Sequence, residues 1–180
     1  MANIDAAVGF KAYQLAGQPE TNEYTIASEY DTDINSGDPV ALTGTGRNVA
    51  LAAAGTLTTC MVFRGCKWVD QQGNQQFSSR WPANTVGTDI TCLVSDQPNR
   101  IYEIQADTLA EGDVGALADW NIGTPNTASG ISGAYLDITA TTATTGKALR
   151  ILGKVERVGN DYGAFCKARV QFVYGGPDGV

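Results

Sequence analysis

Short runs in which apolar and polar residues alternate, each stopped by turn-forming residues, dominate this sequence and restrict it to strands. In Ala168-Arg-Val170-Gln-Phe172-Val-Tyr174 the apolar side chains fall on every second position. An extended chain then carries them on one face and presents a polar face on the other. Comparable runs occupy Val40 to Leu42, Thr58 to Val62, Asp89 to Val94, Ile101 to Gln105, Ala134 to Ile138, Leu149 to Val155 and Ala164 to Tyr174, bounded by Gly, Pro, Asn or Asp. No stretch sustains a helical period. Ala-rich Val49 to Ala54 invites one helical turn, as does Thr108 to Val114, where Thr108 and Glu111 stand at capping-box spacing. Gly55 and Gly112 stop both.

Strands recurring roughly every 10 to 15 residues, with no crossover helix between them, exclude a parallel α/β sheet. The expectation is an all-β fold, an antiparallel β-barrel or jelly-roll-like sandwich with long loops and an extended N-terminal arm. At 180 residues the chain buries enough surface to need neither metal nor disulfides. Residues 31–180 read as a single β-rich domain. Residues 1–30 read as an N-terminal arm or edge strand anchored by Phe10, Tyr13, Leu15, Tyr24, Ile26 and Tyr30, dispensable for folding and used for contact. Residues 70–88 and 119–133 read as two long loops, the first with Phe77 and Trp81-Pro82, the second with Trp120 and Pro125.

Charge narrows the partners. A net charge of −7 opposes binding to nucleic acid and to anionic membrane surfaces, which clustered Lys and Arg provide. The one basic concentration, Arg150, Lys154, Arg157, Lys167 and Arg169, is spaced along strands and reads as a solvated face. No apolar run approaches the length of a membrane-spanning helix. Met1 to Val8 lacks the basic and apolar regions of a secretory leader, so synthesis in a cytoplasm without classical export is expected.

The sequence has no histidine, which removes the usual base of Ser and Cys triads. Among the acids Asp31, Asp33, Asp38, Asp96, Glu103, Asp107, Glu111 and Asp113, three (Asp38, Glu111 and Asp113) adjoin Gly or Pro, and Asp33 and Asp96 stand two residues from Asn35 and Pro98, the setting of turn-forming carboxylates and not of a catalytic pair. Asp31-Thr-Asp33-Ile-Asn35 resembles a calcium loop only in part: Leu42 stands where the bidentate Glu belongs. Cys60, Cys66, Cys92 and Cys166 lack zinc-site spacing and read as reduced, packed thiols. No catalytic residue, metal or cofactor is therefore expected, and the chain reads as a non-enzyme that works by binding proteins. The candidate interface residues are Phe10, Tyr13, Tyr24, Tyr30, Phe77, Trp81 and Trp120, because buried aromatics anchor interfaces. Each Trp loop has an alternative use, folding over the protein's own core, and Trp68 in its strand-like run fits core packing.

Gly37-Asp-Pro-Val40-Ala-Leu-Thr-Gly44, Val62-Phe-Arg-Gly65-Cys-Lys-Trp-Val-Asp70, Phe77-Ser-Ser-Arg-Trp81-Pro-Ala-Asn-Thr85, Leu93-Val-Ser-Asp96-Gln-Pro98 running into Tyr102-Glu-Ile-Gln105, and Leu149-Arg-Ile-Leu-Gly153-Lys-Val-Glu-Arg157 together resemble the landmarks of capsid decoration (cement) proteins of tailed bacteriophages. The resemblance spans Gly37 to Tyr174 and rests on strand-and-turn chemistry. It implies a virion protein on the capsid exterior, assembled in the host cytoplasm. It also implies a homo-oligomer, with a trimer favoured, whose partner is the phage major capsid protein. Two other classes fit the same composition: a head-tail joining or tail/fibre protein, and a carbohydrate-binding β-sandwich stacking sugars on Trp81, Trp120 and Tyr135.

Overall fold

The structure, a computed structural model, describes residues 3–13, 21–54, 61–97, 99–139 and 147–173. Strands account for its regular elements: β1 (Lys11–Ala12), β2 (Asn22–Tyr24), β3 (Ile34–Asn35), β4 (Pro39–Leu42), β5 (Val49–Leu51), β6 (Met61–Val69), β7 (Gln75–Ser78), β8 (Arg80–Trp81), β9 (Thr88–Ser95), β10 (Ile101–Gln105), β11 (Leu117–Asn121), β12 (Tyr135–Asp137), β13 (Leu149–Lys154) and β14 (Lys167–Phe172). The all-β, antiparallel architecture expected from the alternation is what the chain adopts. One 3-10 turn, Glu111–Asp113, interrupts it, and there the Asp113 carboxylate accepts from the Ala110 N–H at 2.7 Å. The Thr108–Glu111 capping box expected from the sequence is not what shapes this turn.

Three sheets form: a two-stranded pair of β3 and β8, and two larger sheets that each curl back on themselves. The first of the larger sheets runs β2-β9-β6-β4-β5. Its ends meet where Thr25, directly after β2, bridges in parallel to Asn48, directly before β5. Thr25 N–H donates to the Arg47 carbonyl at 3.0 Å and Val49 N–H to the Thr25 carbonyl at 2.9 Å. The second runs β10-β14-β13-β11-β12 and closes where Ala106 bridges in parallel to Leu136. Counted by order of appearance within each ring, both run first, fifth, fourth, second, third and back to first. Both fourth strands shift register at a glycine: β6 between Phe63 and Gly65, β13 between Ile151 and Gly153. Such bulges add the twist that a small ring needs to close. The same connectivity is thus used twice in tandem.

Alternation fills each ring. Tyr102, Ile104, Leu149, Ile151, Ala168, Val170 and Phe172 turn into the second core, while Met61, Phe63, Cys66, Cys92 and Val94 turn into the first. An aromatic residue from outside each ring packs into its core. Phe10, from the N-terminal segment, lies 5.8 Å from Tyr102, 6.2 Å from Trp120 and 5.2 Å from Phe172 between ring centres. Trp81, from β8, meets Trp68 edge-on at 5.5 Å. Val62 and Ala52, from the strands of the first ring and its margin, pack into the second core and join the two.

Several local expectations are corrected by tertiary pairing. Val49 to Ala54 is not a helical turn: Val49–Leu51 pairs with β4 from Leu42↔Val49 to Val40↔Leu51, and the ladder overrides alanine's helical preference. Residues 70–88 are not one loop, because β7 returns along β6 and β8 pairs with β3. Residues 119–133 begin inside β11, which carries Trp120. Thr58 to Cys60 and Tyr174 lie outside the described residues. Residues 1–30 supply two edge strands, β1 on β10 and β2 on β9. They also supply Phe10, Tyr24 and Ile26 to the two cores, so of the two expected forms the edge strand is the one adopted.

The segment ending in Phe10 is seated by a backbone crossing. Phe10 N–H donates to the Gly37 carbonyl at 2.9 Å, and Gly37 N–H to the Phe63 carbonyl at 2.8 Å. A Cβ on Gly9, whose φ is +68, would lie 2.5 Å from the Ser132 Cβ and 2.6 Å from the Gly37 carbonyl oxygen. Gly44 has a φ of +80 with nothing within 4 Å of such a Cβ. Gly44→Ala is therefore expected to cost about 1 kcal/mol, the conformational term alone, and Gly9→Ala about 3 kcal/mol or more, because the clash adds to it. Urea denaturation of the two variants checks this, and equal losses would contradict the crossing.

Candidate protein-interaction surface

Burial sorts the aromatic candidates. Phe10 and Trp120 are 1% exposed and Trp81 is 0%, so these three are core residues and none can anchor a partner. Tyr24 is buried too, its hydroxyl donating to Asp96 at 2.7 Å. Both buried indole N–H groups, of Trp81 and Trp120, find no acceptor among the described residues. That loss of about 1–3 kcal/mol each is tolerated because the burial of so large an apolar ring exceeds it. Tyr13 and Tyr30 are half-buried. Tyr13 lies under the Arg169 guanidinium, 5.8 Å from the ring centre, and the Tyr30 hydroxyl accepts from the Leu51 N–H at 3.1 Å. Phe77 alone of the seven is open to solvent, at 71% exposure. With Trp81 and Trp120 enclosed, the sugar-stacking platform expected of a carbohydrate binder is absent from the surface of the described residues.

Phe77 stands on β7, opposite Lys67 of β6. The neighbouring strands place Leu93, 42% exposed, on β9 and Glu23 on β2, directly opposite one another. These side chains and Arg64, Gly65, Ser79 and Thr91 line an open cleft of about 560 Å³. Its one ion pair, Lys67 to Glu23 at 3.7 Å, is exposed on both sides, so it contributes little. Sequence reasoning named Phe77 but missed Leu93 and Arg64. Alternation along Asp89 to Val94 carried the signal for Leu93, since it sets Leu93 on the face opposite Cys92 and Val94.

A second cleft, about 620 Å³, lies beside residues 5–7 and is lined by Gln105, Asp107, Tyr135 and Phe165 among others. Its polar groups already satisfy one another: the Gln105 amide donates to Asp5 at 2.7 Å and accepts from the Ala6 N–H at 2.8 Å and from Lys167 at 2.7 Å. It stitches the N-terminal segment to the second ring.

The carboxylates behave as turn and packing groups. Asp107 accepts from the Thr108 N–H at 2.6 Å, and Asp33 from the Ala83 N–H at 2.8 Å. Asp96 and Glu103 depart from that pattern: both are buried, Asp96 holding Asn22 and Tyr24, Glu103 paired with Arg157 at 3.0 Å. Among the described residues no group of three or more potential metal-ligating side chains converges. Cys66 and Cys92 face one another across β6 and β9 as free thiols, and burial pushes each up to about 12. Cys166 is likewise buried and free; Cys60 lies outside the described residues.

Asp38, 1% exposed, accepts from the Asn35 N–H at 2.7 Å. Burial raises its pKa above the ordinary 3.8, although hydrogen bonds from Ser132 and Asn35 pull the other way. An acid raised in the folded state adds stability that is complete below its unfolded pKa and is lost as pH rises through the folded one. Asp38→Asn cannot lose that contribution. The stability of the variant relative to the parent is therefore expected to grow as pH rises from about 3.5 to about 7, measured by urea denaturation across that range. A difference that stays flat or shrinks would contradict the raised value. No family model, no curated protein and no solved structure matches this chain.

Proposed function

We propose that this protein is a structural virion component that binds the outside of an icosahedral phage capsid and stabilises contacts between major capsid protein subunits, acting as a homo-oligomer with a trimer favoured. The observation that carries this reading is the contrast between two aromatic-filled cores and the most exposed aromatic of the described residues, Phe77, beside Leu93 on an open sheet face. Exposed apolar side chains grouped on a rigid scaffold mark contact surfaces. The sequence landmarks supply the class of partner, through their resemblance to capsid decoration proteins. A ligand that binds only the assembled shell stabilises it by mass action. Binding across a junction lets several modest contacts act together.

Quantitative mass spectrometry of the source particle tests the reading. A decoration protein is expected in hundreds of copies, in fixed ratio to the capsid subunit, because the shell's symmetry repeats its site. About a dozen copies would point instead to a head-tail joining or tail component. Absence from the particle would end the proposal.

A further inference from the structure

The cleft beside Phe77 holds an unanswered charge. Arg64 lines it from β6, next to Gly65, and is only partly exposed. Among the described residues its guanidinium has neither a hydrogen bond nor an ion pair; the side chain that acts on it most strongly is the buried Tyr102, followed by another cation, Arg100. Burial lowers the Arg64 pKa from its ordinary value; Tyr102 acts against that shift and Arg100 with it. Arg100 is itself buried; its Nη2 donates to Gln97, while Nε and Nη1 find no acceptor among the described residues. Asp96, close in sequence to Arg100, is occupied by Asn22 and Tyr24. Glu23 on the cleft wall is paired with Lys67.

A guanidinium withdrawn from water without a counter-ion is an unfavourable arrangement that an incoming anion relieves. Arginine also presents a planar fork suited to a carboxylate. Phe77 and Leu93 add apolar walls beside it. We propose that this cleft seats an acidic, apolar segment of a protein partner, with a carboxylate meeting Arg64 and a neighbouring apolar side chain lying between Phe77 and Leu93. This rests on the reading that the protein works by binding other proteins, and it specifies the chemistry of the contact. The charge at the cleft runs against the net −7 of the whole chain, so it selects a complementary segment locally while the remaining surface repels other acidic proteins.

The probe is a blocked hexapeptide of alternating glutamate and leucine, with alternating lysine and leucine as control. Amide NMR of the intact protein follows the two titrations. Saturable shifts centred on Gly65, Phe77 and Leu93 are expected with the glutamate peptide, and binding roughly tenfold weaker for the lysine peptide, for Arg64→Gln and for Phe77→Ser. Phe77 is exposed, so its variant keeps the fold, and a thermal melt of each variant verifies this. Absence of shifts with the glutamate peptide, equal binding of both peptides, or undiminished binding by both variants would overturn the proposal. So would a change in oligomeric state on Phe77→Ser, which would assign the cleft to a second copy. Binding of the same variants to the source particle separates this proposal from the wider one. If the parent binds and both variants bind equally well, the cleft assignment fails while the capsid reading stands. If the parent fails to bind particles but the peptide results hold, the capsid reading fails and the cleft assignment stands.

Discussion

The architecture depends on a backbone crossing that tolerates no side chain. At Gly9 and Gly37 the N-terminal segment and the strand leading into β4 approach so closely that a Cβ at Gly9 would fall within 2.6 Å of the Gly37 carbonyl oxygen. Ser36 joins the same crossing, donating to the Gly130 carbonyl at 2.9 Å and accepting from the Ser132 N–H at 3.0 Å. Three remote segments thus satisfy their backbone groups at one point, where no water can do so. Phe10 follows Gly9 directly, so the crossing decides whether the second ring receives its aromatic. Through Gly37 and Phe63 the same hydrogen bonds reach β6, the longest strand of the first ring.

Using one connectivity twice has an energetic consequence. A ring of five short strands encloses little volume, and closing it leaves room for few large side chains. Each ring here borrows an aromatic from outside itself, Phe10 or Trp81, to complete its packing. Phe10, Phe63, Trp81, Tyr102 and Trp120 are thereby consumed internally. The exterior carries the polar beat of each strand, broken by scattered apolar side chains such as Leu93 on β9 and, most openly on a strand, by Phe77 where β7 extends the first sheet beyond the ring. The second ring has β1 at its added edge instead, and there Glu103 is answered by Arg157 at 3.0 Å. The two rings share a topology but present different outer faces.

Strand class was legible because alternation is a local signal, and the runs at 89–94, 101–105 and 149–155 became β9, β10 and β13 with small shifts of boundary. Ring closure was not legible, since it depends on single parallel bridges at Thr25 and Ala106 that no local pattern marks. The doubling left a faint trace in Phe63-Arg-Gly65 and Ile151-Leu-Gly153, each an apolar residue two positions before a bulge glycine. The alanines of 49–54 misled for the opposite reason: their helical preference is a fraction of a kcal/mol per residue, about what one strand-pairing contact offsets.

The candidate surface divides along the same line. Composition can say that tryptophan is enriched at interfaces, but a chain short of other large side chains draws its tryptophans inward, and Trp81 and Trp120 went to the cores. Phe77 stayed outside because a four-residue strand between Asn74 and Ser79 pairs with β6 on one side only, with no layer above it. Arg64 had no sequence signal at all. Its significance lies in what surrounds it, a neighbouring cation and a Glu23 carboxylate already paired with Lys67, and that is a property of the folded charge distribution. A surface of this kind gains specificity from the anion it lacks: an uncharged partner leaves the guanidinium half-desolvated and unanswered, a cationic one adds repulsion, and only an acidic one removes the imbalance.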